Sequence, residues 1–297
     1  MPAVPAARPG CNCLPGLILE AMRPRQWSKN LFVYAAMVFT DNWRSWPLVT
    51  LCFGLFCLVS GAVYLLNDIS DREQDRVHPE KQSRPIASGR LPVAAAAVAA
   101  ALFAIGGAVA SFAVSTMFGI GIVGYLILQV AYTLALKRMV LVDAFAIAAG
   151  FVIRAAAGGW ALHVPVSAWL LVCTLQLALF LAFGKRRHEL VALEGDAADH
   201  RQALSSYSLP LLDQIIAVTL GGLTVSYAVY CINSPTAIRH PMLALSLPFV
   251  MFGVFRYLYL IHIEHRGGTP EKILAQDRTM QVDLGLWLLA VVAAFRW

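Results

Sequence analysis

Charge is scarce in this chain. Only 13% of its 297 residues are Asp, Glu, Lys or Arg, and 59% are hydrophobic. Soluble domains carry about 25% charge and about 45–50% apolar residues. The shortage excludes a soluble globular enzyme, a disordered chain and a nucleic-acid-binding arm. Cysteine offers no framework either. Four of the six cysteines lie in apolar segments, and the close pair Cys11 and Cys13 has no partner His or Cys nearby for zinc. No alternation of strand period appears, so an open sheet is excluded. No glycine-rich loop follows a strand, which excludes a nucleotide-binding turn. The first 16 residues lack an apolar core and read as a loose tail, not a cleaved signal peptide.

What the chain has is apolar length. A bilayer-spanning helix needs about 20 such residues. Apolar runs separated by charged clusters predict nine spans, near 17–40, 46–68, 91–111, 117–136, 142–160, 166–185, 211–232, 241–263 and 279–296. The expected fold is an all-α integral membrane protein of nine transmembrane helices, forming one polytopic domain over residues 1–297. With the N-terminus inside, 18 of the 23 Lys and Arg fall on the cytoplasmic side. Arg44, Arg239 and Arg296 fall outside, and Arg154 and Arg256 lie within spans. That asymmetry predicts a multi-pass protein of the cytoplasmic membrane with its chemistry at the inner mouth. The formal charge of +6 is then topology and anion binding, not affinity for nucleic acid. Homo-oligomer formation is compatible with the sequence but not specified by it.

The end of the second span reads Asn67-Asp68-Ile-Ser-Asp71-Arg72-Glu-Gln-Asp75. On a continuous helix Asn67, Asp68, Asp71 and Asp75 share an arc of about 100°. Oxygen donors on one face suit Mg²⁺, which takes one or two carboxylates plus substrate phosphates. All four positions are candidate metal-site residues. The bland reading is a solvated helix end with local ion pairs. The loop that follows carries Lys81, Ser83 and Arg84, suited to a phosphorylated substrate.

The pattern N-D-x-x-D-x-x-x-D, followed by Lys81-x-x-Arg84-Pro85-Ile86-Ala87-Ser88-Gly89-Arg90-Leu91, resembles the UbiA superfamily of intramembrane prenyltransferases. The resemblance implies a nine-helix bundle with cytoplasmic loops. Most members carry a second aspartate-rich motif after span six. Here that place reads Lys185-Arg186-Arg187-His188-Glu189. This departure is similar to one branch, the decaprenyl-phosphate phosphoribosyltransferases. So are the opening from Met22 to Leu31, Arg256 and Tyr257 in span eight, and Pro270 to Arg278 before span nine. The branch implies transfer of 5-phosphoribose from 5-phosphoribosyl-1-diphosphate to a polyprenyl phosphate, with Mg²⁺ as cofactor and Asn67, Asp68 and Asp71 as its ligand set. The product would feed a lipid-linked pentose for envelope polysaccharide. Three anionic groups would then meet at one mouth. One acidic motif and one basic motif fit that count.

Other expected substrate contacts are Arg23, Gln26, Lys29 and Asn30, of which the last three share a helical face. Lys29 with Trp27 could equally be an interfacial anchor. Tyr132 and Lys137 end span four and Asp143 starts span five. Arg154 lies about 16 Å deeper on nearly the same face as Asp143. An arginine within a span is costly and functional by default, with a buried ion pair as the structural alternative. Lys185, Arg186, Arg187, Glu189, Arg256 and Tyr257 complete the set. The rival readings are prenyl transfer to an aromatic ring, against which the missing second aspartate motif argues, and a transporter, against which the short outer loops argue.

Overall fold

A computed structural model describes residues 13–40, 42–79, 81–192, 206–264, 273 and 276–296. Most of the expected tail, and Pro270 and Glu271, lie outside the described residues. Among the described residues every regular element is helical. Eight helical stretches are long and apolar enough to cross a membrane, and the chain is a multi-pass membrane protein.

The elements run α1 (Leu14–Ala21), a 3₁₀ stretch (Pro24–Tyr34), α2 (Ala35–Phe39), α3 (Trp46–Ser70), α4 (Arg72–Val77), α5 (Val93–Val114), α6 (Thr116–Leu134), α7 (Val142–Leu162), α8 (Ala168–Ala192), α9 (Leu209–Asn233), α10 (Pro235–Arg239), α11 (Leu247–His262) and α12 (Arg278–Arg296). The uncharged run 91–136 divides at Ser115. That residue is extended, and its Oγ caps α6 by accepting from Phe118 N–H at 3.1 Å.

The expected first span, 17–40, is not one helix. It is broken into α1, the 3₁₀ stretch and α2. Pro24 lacks an amide hydrogen, and the residue before a proline is disfavoured in the α region. Arg23 leaves the α region for the left-handed one, at φ 54, ψ 66. The segment still travels the length of the bundle. Arg23 reaches Asp68 near the end of α3, while Phe39 packs on Tyr230 near the end of α9 and accepts from Thr236 Oγ1 at 3.0 Å. A break between α and 3₁₀ geometry at this depth is tolerated because α3 and α7 pack against the segment.

Close approach to α7 depends on Gly158. A Cβ there would lie 2.0 Å from the carbonyl oxygen of Val33. Backbone cannot yield as a side chain can. Gly158→Ala is expected to push the 3₁₀ stretch off α7 and cost about 1–3 kcal/mol, the range for overpacking. A thermal melt in detergent checks this, and an unchanged midpoint would show the contact to be looser than drawn.

Of the four apolar clusters that result, two flank the path of the site. One joins the 3₁₀ stretch to α3, α6 and α7 around Val33, Phe56, Phe118 and Ala157. The other joins α7, α8, α9 and α11 around Ala148, Phe183, Leu212 and Leu260. An apolar cavity of about 450 Å³ opens beside the second, lined by Phe32, Phe180, Leu223, Tyr257, Asp283 and Trp287 among others.

Candidate active site at one end of the bundle

The polar side chains singled out in the sequence gather at one end. They sit where α3, α6, α8 and α11 finish and where α7, α9 and α12 begin. Antiparallel helices bring these termini together although the residues are far apart in sequence.

The acidic motif does not run along one unbroken helix. α3 stops at Ser70, Asp71 is the junction, and Asp75 lies on α4. Backbone hydrogen bonds of 2.8 Å from Asp71 to Asn67 and from Asp75 to Asp71 keep the junction tight. Asp68 and Asp75 are buried, and Arg84 Nη1 binds both, at 3.3 Å and 2.5 Å. Arg23 also binds Asp68. Asp71 is turned to Lys137 Nζ at 2.7 Å, and Asn67 accepts from the Thr133 hydroxyl. The three carboxylates are therefore matched by three cations from three different segments. This is more than the solvated helix end that the bland reading expected, since two of the carboxylates are buried.

Among the described residues no three His, Cys, Asp or Glu side chains form a ready metal cage. The donor set nonetheless fits a hard divalent ion. Asn67 offers an amide oxygen and Asp68 and Asp71 carboxylate oxygens over residues 67–71, and Mg²⁺ characteristically completes its shell with water and substrate phosphate.

The basic half differs from the expected cationic triplet. Only Lys185 is exposed, 3.9 Å from Glu189. Arg186 is 2% exposed and donates from Nε and Nη2 to Asp143 Oδ2 at 2.9 Å and 2.6 Å. Arg187 is paired with Asp213 at the start of α9. A helix turns about 100° per residue. Three consecutive cations must therefore diverge, and one of them here faces the core. Arg186 and Asp143 thus form an internal tie between α8 and α7. Tyr132 and Glu189 are near enough to act on the charge of Arg186.

Among the described residues Arg154 pairs with no carboxylate. Its Nε donates to Asn30 Oδ1 at 2.8 Å, Nη1 to Gly150 O at 2.9 Å and Nη2 to Tyr125 Oη at 2.8 Å. The guanidinium also lies 4.6 Å from the centroid of the Tyr125 ring. Asn30 is buried and spends its amide on Ser60 Oγ at 3.1 Å and Cys57 Sγ at 3.3 Å. Asn30 and Arg154 therefore lock the 3₁₀ stretch to α3 and α7, below the acidic cluster. Gln26, Lys29 and Lys81 are half-buried at the mouth. Arg256 binds Asp277 at 2.8 Å and Glu264 at 3.5 Å. Tyr257 is buried edge-on against Phe180, with ring centroids 4.5 Å apart, and faces the apolar cavity.

Thr133, Asp213 and Tyr207 were not anticipated. Thr133 precedes Lys137 by four residues on the chain side that meets Asn67, a spacing that could have marked it. Asp213 and Tyr207 flank a polar loop and carry no signal in one sequence.

Comparison with known proteins gives a consistent picture. The family model described as the UbiA prenyltransferase family matches residues 30–275. Decaprenyl-phosphate phosphoribosyltransferase of Mycolicibacterium smegmatis is 33% identical, over 98% of this chain and 96% of that protein. The protein of the same name from Corynebacterium glutamicum is 32% identical, over 97% and 89%. Among solved structures, a UbiA homolog from Archaeoglobus fulgidus bound to GPP and Mg²⁺ superposes with a TM-score of 0.70. It is 16% identical, over 95% of this chain and all of that one. At that identity the likeness speaks for the fold alone.

Proposed function

The chain belongs to the UbiA prenyltransferase family, and from that premise we propose that it is a membrane phosphoribosyltransferase. It moves 5-phosphoribose from 5-phosphoribosyl-1-diphosphate to a polyprenyl phosphate of decaprenyl type and releases diphosphate. The observation that carries this reading is the pairing of one acidic motif with a basic second half. Asn67, Asp68, Asp71 and Asp75 end α3 and begin α4, whereas Lys185 and Arg187 stand where a second acidic motif would. The relatives named for this activity, similar over nearly the whole chain, support it.

In this reading nine segments cross the membrane, eight as continuous helices and the first as the broken segment. The Lys and Arg asymmetry supports a site on the cytoplasmic side of the cytoplasmic membrane. Asn67, Asp68 and Asp71 would hold Mg²⁺, which supplies charge neutralisation on the departing diphosphate. Arg23, Arg84 and Lys137, already at the carboxylates, bind phosphate oxygens of the donor. Arg84 suits bidentate contact and Lys137 acts as a point charge. Lys185 and Lys29 serve the other phosphates at the mouth. The lipid tail occupies the apolar cavity beside Tyr257, so it never leaves an apolar medium.

The bond from ribose C1 to the diphosphate oxygen breaks, and a bond from C1 to a lipid phosphate oxygen forms on the opposite face. A phosphate monoester carries about −1.5 to −2 charge at neutral pH, so no side chain needs to remove a proton. Placement and preorganised charge carry the rate. An aromatic acceptor would lose a proton after attack.

Two outcomes test the assignment. Purified protein offered a prenyl diphosphate and an aromatic acceptor is expected to give no product, and turnover of that pair would favour aromatic prenyl transfer. Lys185→Ala is expected to raise KM for a phosphorylated substrate by about tenfold, the worth of one charge-assisted contact. If KM for both substrates is unchanged, Lys185 is only a topological anchor.

A further inference from the structure

The loop between α6 and α7 contains a backbone feature that the reaction described above leaves unexplained. Leu141 has φ 66 and ψ −44, and Val142 N–H donates to Val140 O at 2.8 Å. This is the γ-turn of positive φ, rare and strained for any residue with a Cβ. Such a conformation persists only where its surroundings over-determine it, and it concentrates at functional sites.

One side chain supplies that constraint. Tyr207 is 6% exposed, and its hydroxyl accepts from Leu141 N–H at 2.7 Å. The same hydroxyl points its own hydrogen to Asp143 Oδ1 at a longer 3.4 Å. Its ring packs edge-on against Phe183 on α8, with centroids 6.4 Å apart. Burial pushes the Tyr207 phenol above its ordinary pKa, so it remains a hydroxyl throughout the neutral range.

The strained turn sits between the two halves of the site. Four residues before it, Lys137 binds Asp71 of the acidic motif. Two residues after it, Asp143 holds Arg186. A turn that relaxed at Leu141 would let residues 136–140 shift against α7, and Lys137 with them. The other backbone hydrogen bonds of the turn, Asp143 N–H to Met139 O at 3.1 Å and Ala144 and Phe145 N–H to Leu141 O at 3.0 Å and 3.1 Å, hold carbonyls and leave the amide of Leu141 to Tyr207.

We propose that Tyr207 is a positioning residue: its hydroxyl holds the strained turn at Leu141 and thereby fixes Lys137 against Asp71, where the diphosphate of the donor is bound. The role in catalysis rests on the phosphoribosyl-transfer reading. The geometry of the turn does not.

The test uses the full chain in detergent or nanodiscs. Tyr207→Phe keeps the ring and removes the hydroxyl. It is expected to raise KM for 5-phosphoribosyl-1-diphosphate about tenfold, the scale of one buried hydrogen bond, with kcat within about twofold. In a Lys137→Met background the same change is expected to add less than about twofold, because both act through one contact. Leu141→Gly combined with Tyr207→Phe is expected to recover most of the loss, since glycine takes a positive φ without strain. Calorimetric binding of magnesium diphosphate is expected to weaken in step with KM, and this readout does not depend on transfer.

Unchanged KM and diphosphate binding in Tyr207→Phe would overturn the proposal. So would a full additional loss in the Lys137→Met background. If the wild-type protein fails to use the ribose donor while Tyr207→Phe still weakens diphosphate binding, the reaction assignment fails and the positioning role stands.

Discussion

Asp68→Ala is expected to abolish phosphoribosyl transfer while the protein stays folded. Asp68 is the point at which the acidic motif and two cations meet: Arg23 and Arg84 both bind it, and it is nearly fully buried. In the proposed site its removal would take away a metal-binding oxygen, and it leaves two guanidiniums with less opposing charge. Loss of one preorganised electrostatic contact typically costs about 10²–10³ in kcat. With the metal role proposed for Asp68, the loss is expected to lie at or beyond the upper end. Folding is protected because Arg84 keeps Asp75 at 2.5 Å. Asp68→Asn makes a useful companion, since it preserves volume and removes only charge. Turnover and a melting curve measured on the same samples decide the matter. Near-normal turnover in Asp68→Ala would remove this residue from the metal site.

Asp143→Ala is expected to destabilise the protein more than any other single change at this end of the bundle. It strips the anion from Arg186, which is 2% exposed and cannot turn to solvent. Breaking a buried pair at one partner costs about 3–5 kcal/mol, because the remaining charge stays uncompensated. Replacing both partners at once behaves differently. Asp143→Leu with Arg186→Met removes both charges from an apolar setting, and such exchanges are often neutral or stabilising. The expected order is a low melting point for Asp143→Ala and a near wild-type value for the double variant. The double variant also tests whether Arg186 touches substrate. Retained binding of magnesium diphosphate fits a tie between α7 and α8. A stable double variant that no longer binds would return Arg186 to the substrate.

The parts of this site that were legible in the sequence share one property: their signal is local. Apolar length marked the long helices from α3 onward, because each must span a bilayer alone; the short α4 and α10 carry no such signal. The residues Asn67 to Asp75 announced themselves because four oxygen-bearing side chains fall within two helical turns. The first segment escaped because Pro24 and the left-handed Arg23 break a run whose hydrophobicity alone reads as one helix. The triplet Lys185-Arg186-Arg187 was misjudged for a related reason. Consecutive residues on a helix face different ways, and which one meets the core depends on α7. Arg154 stands out in the sequence as a charge within a span, but its partners Asn30 and Tyr125 come from segments 124 and 29 residues away. Tyr207 had no signal at all, since its partner is a backbone amide whose strain exists only in three dimensions.

Transfer itself is the most direct measurement. Purified protein, Mg²⁺, 5-phosphoribosyl-1-diphosphate labelled in the ribose and a polyprenyl phosphate are incubated, and the lipid is extracted. The label is expected in the lipid fraction, with inverted configuration at C1, in wild type and not in Asp68→Ala. A lipid fraction without label, in a preparation that instead consumes a prenyl diphosphate with an aromatic acceptor, would contradict the assignment.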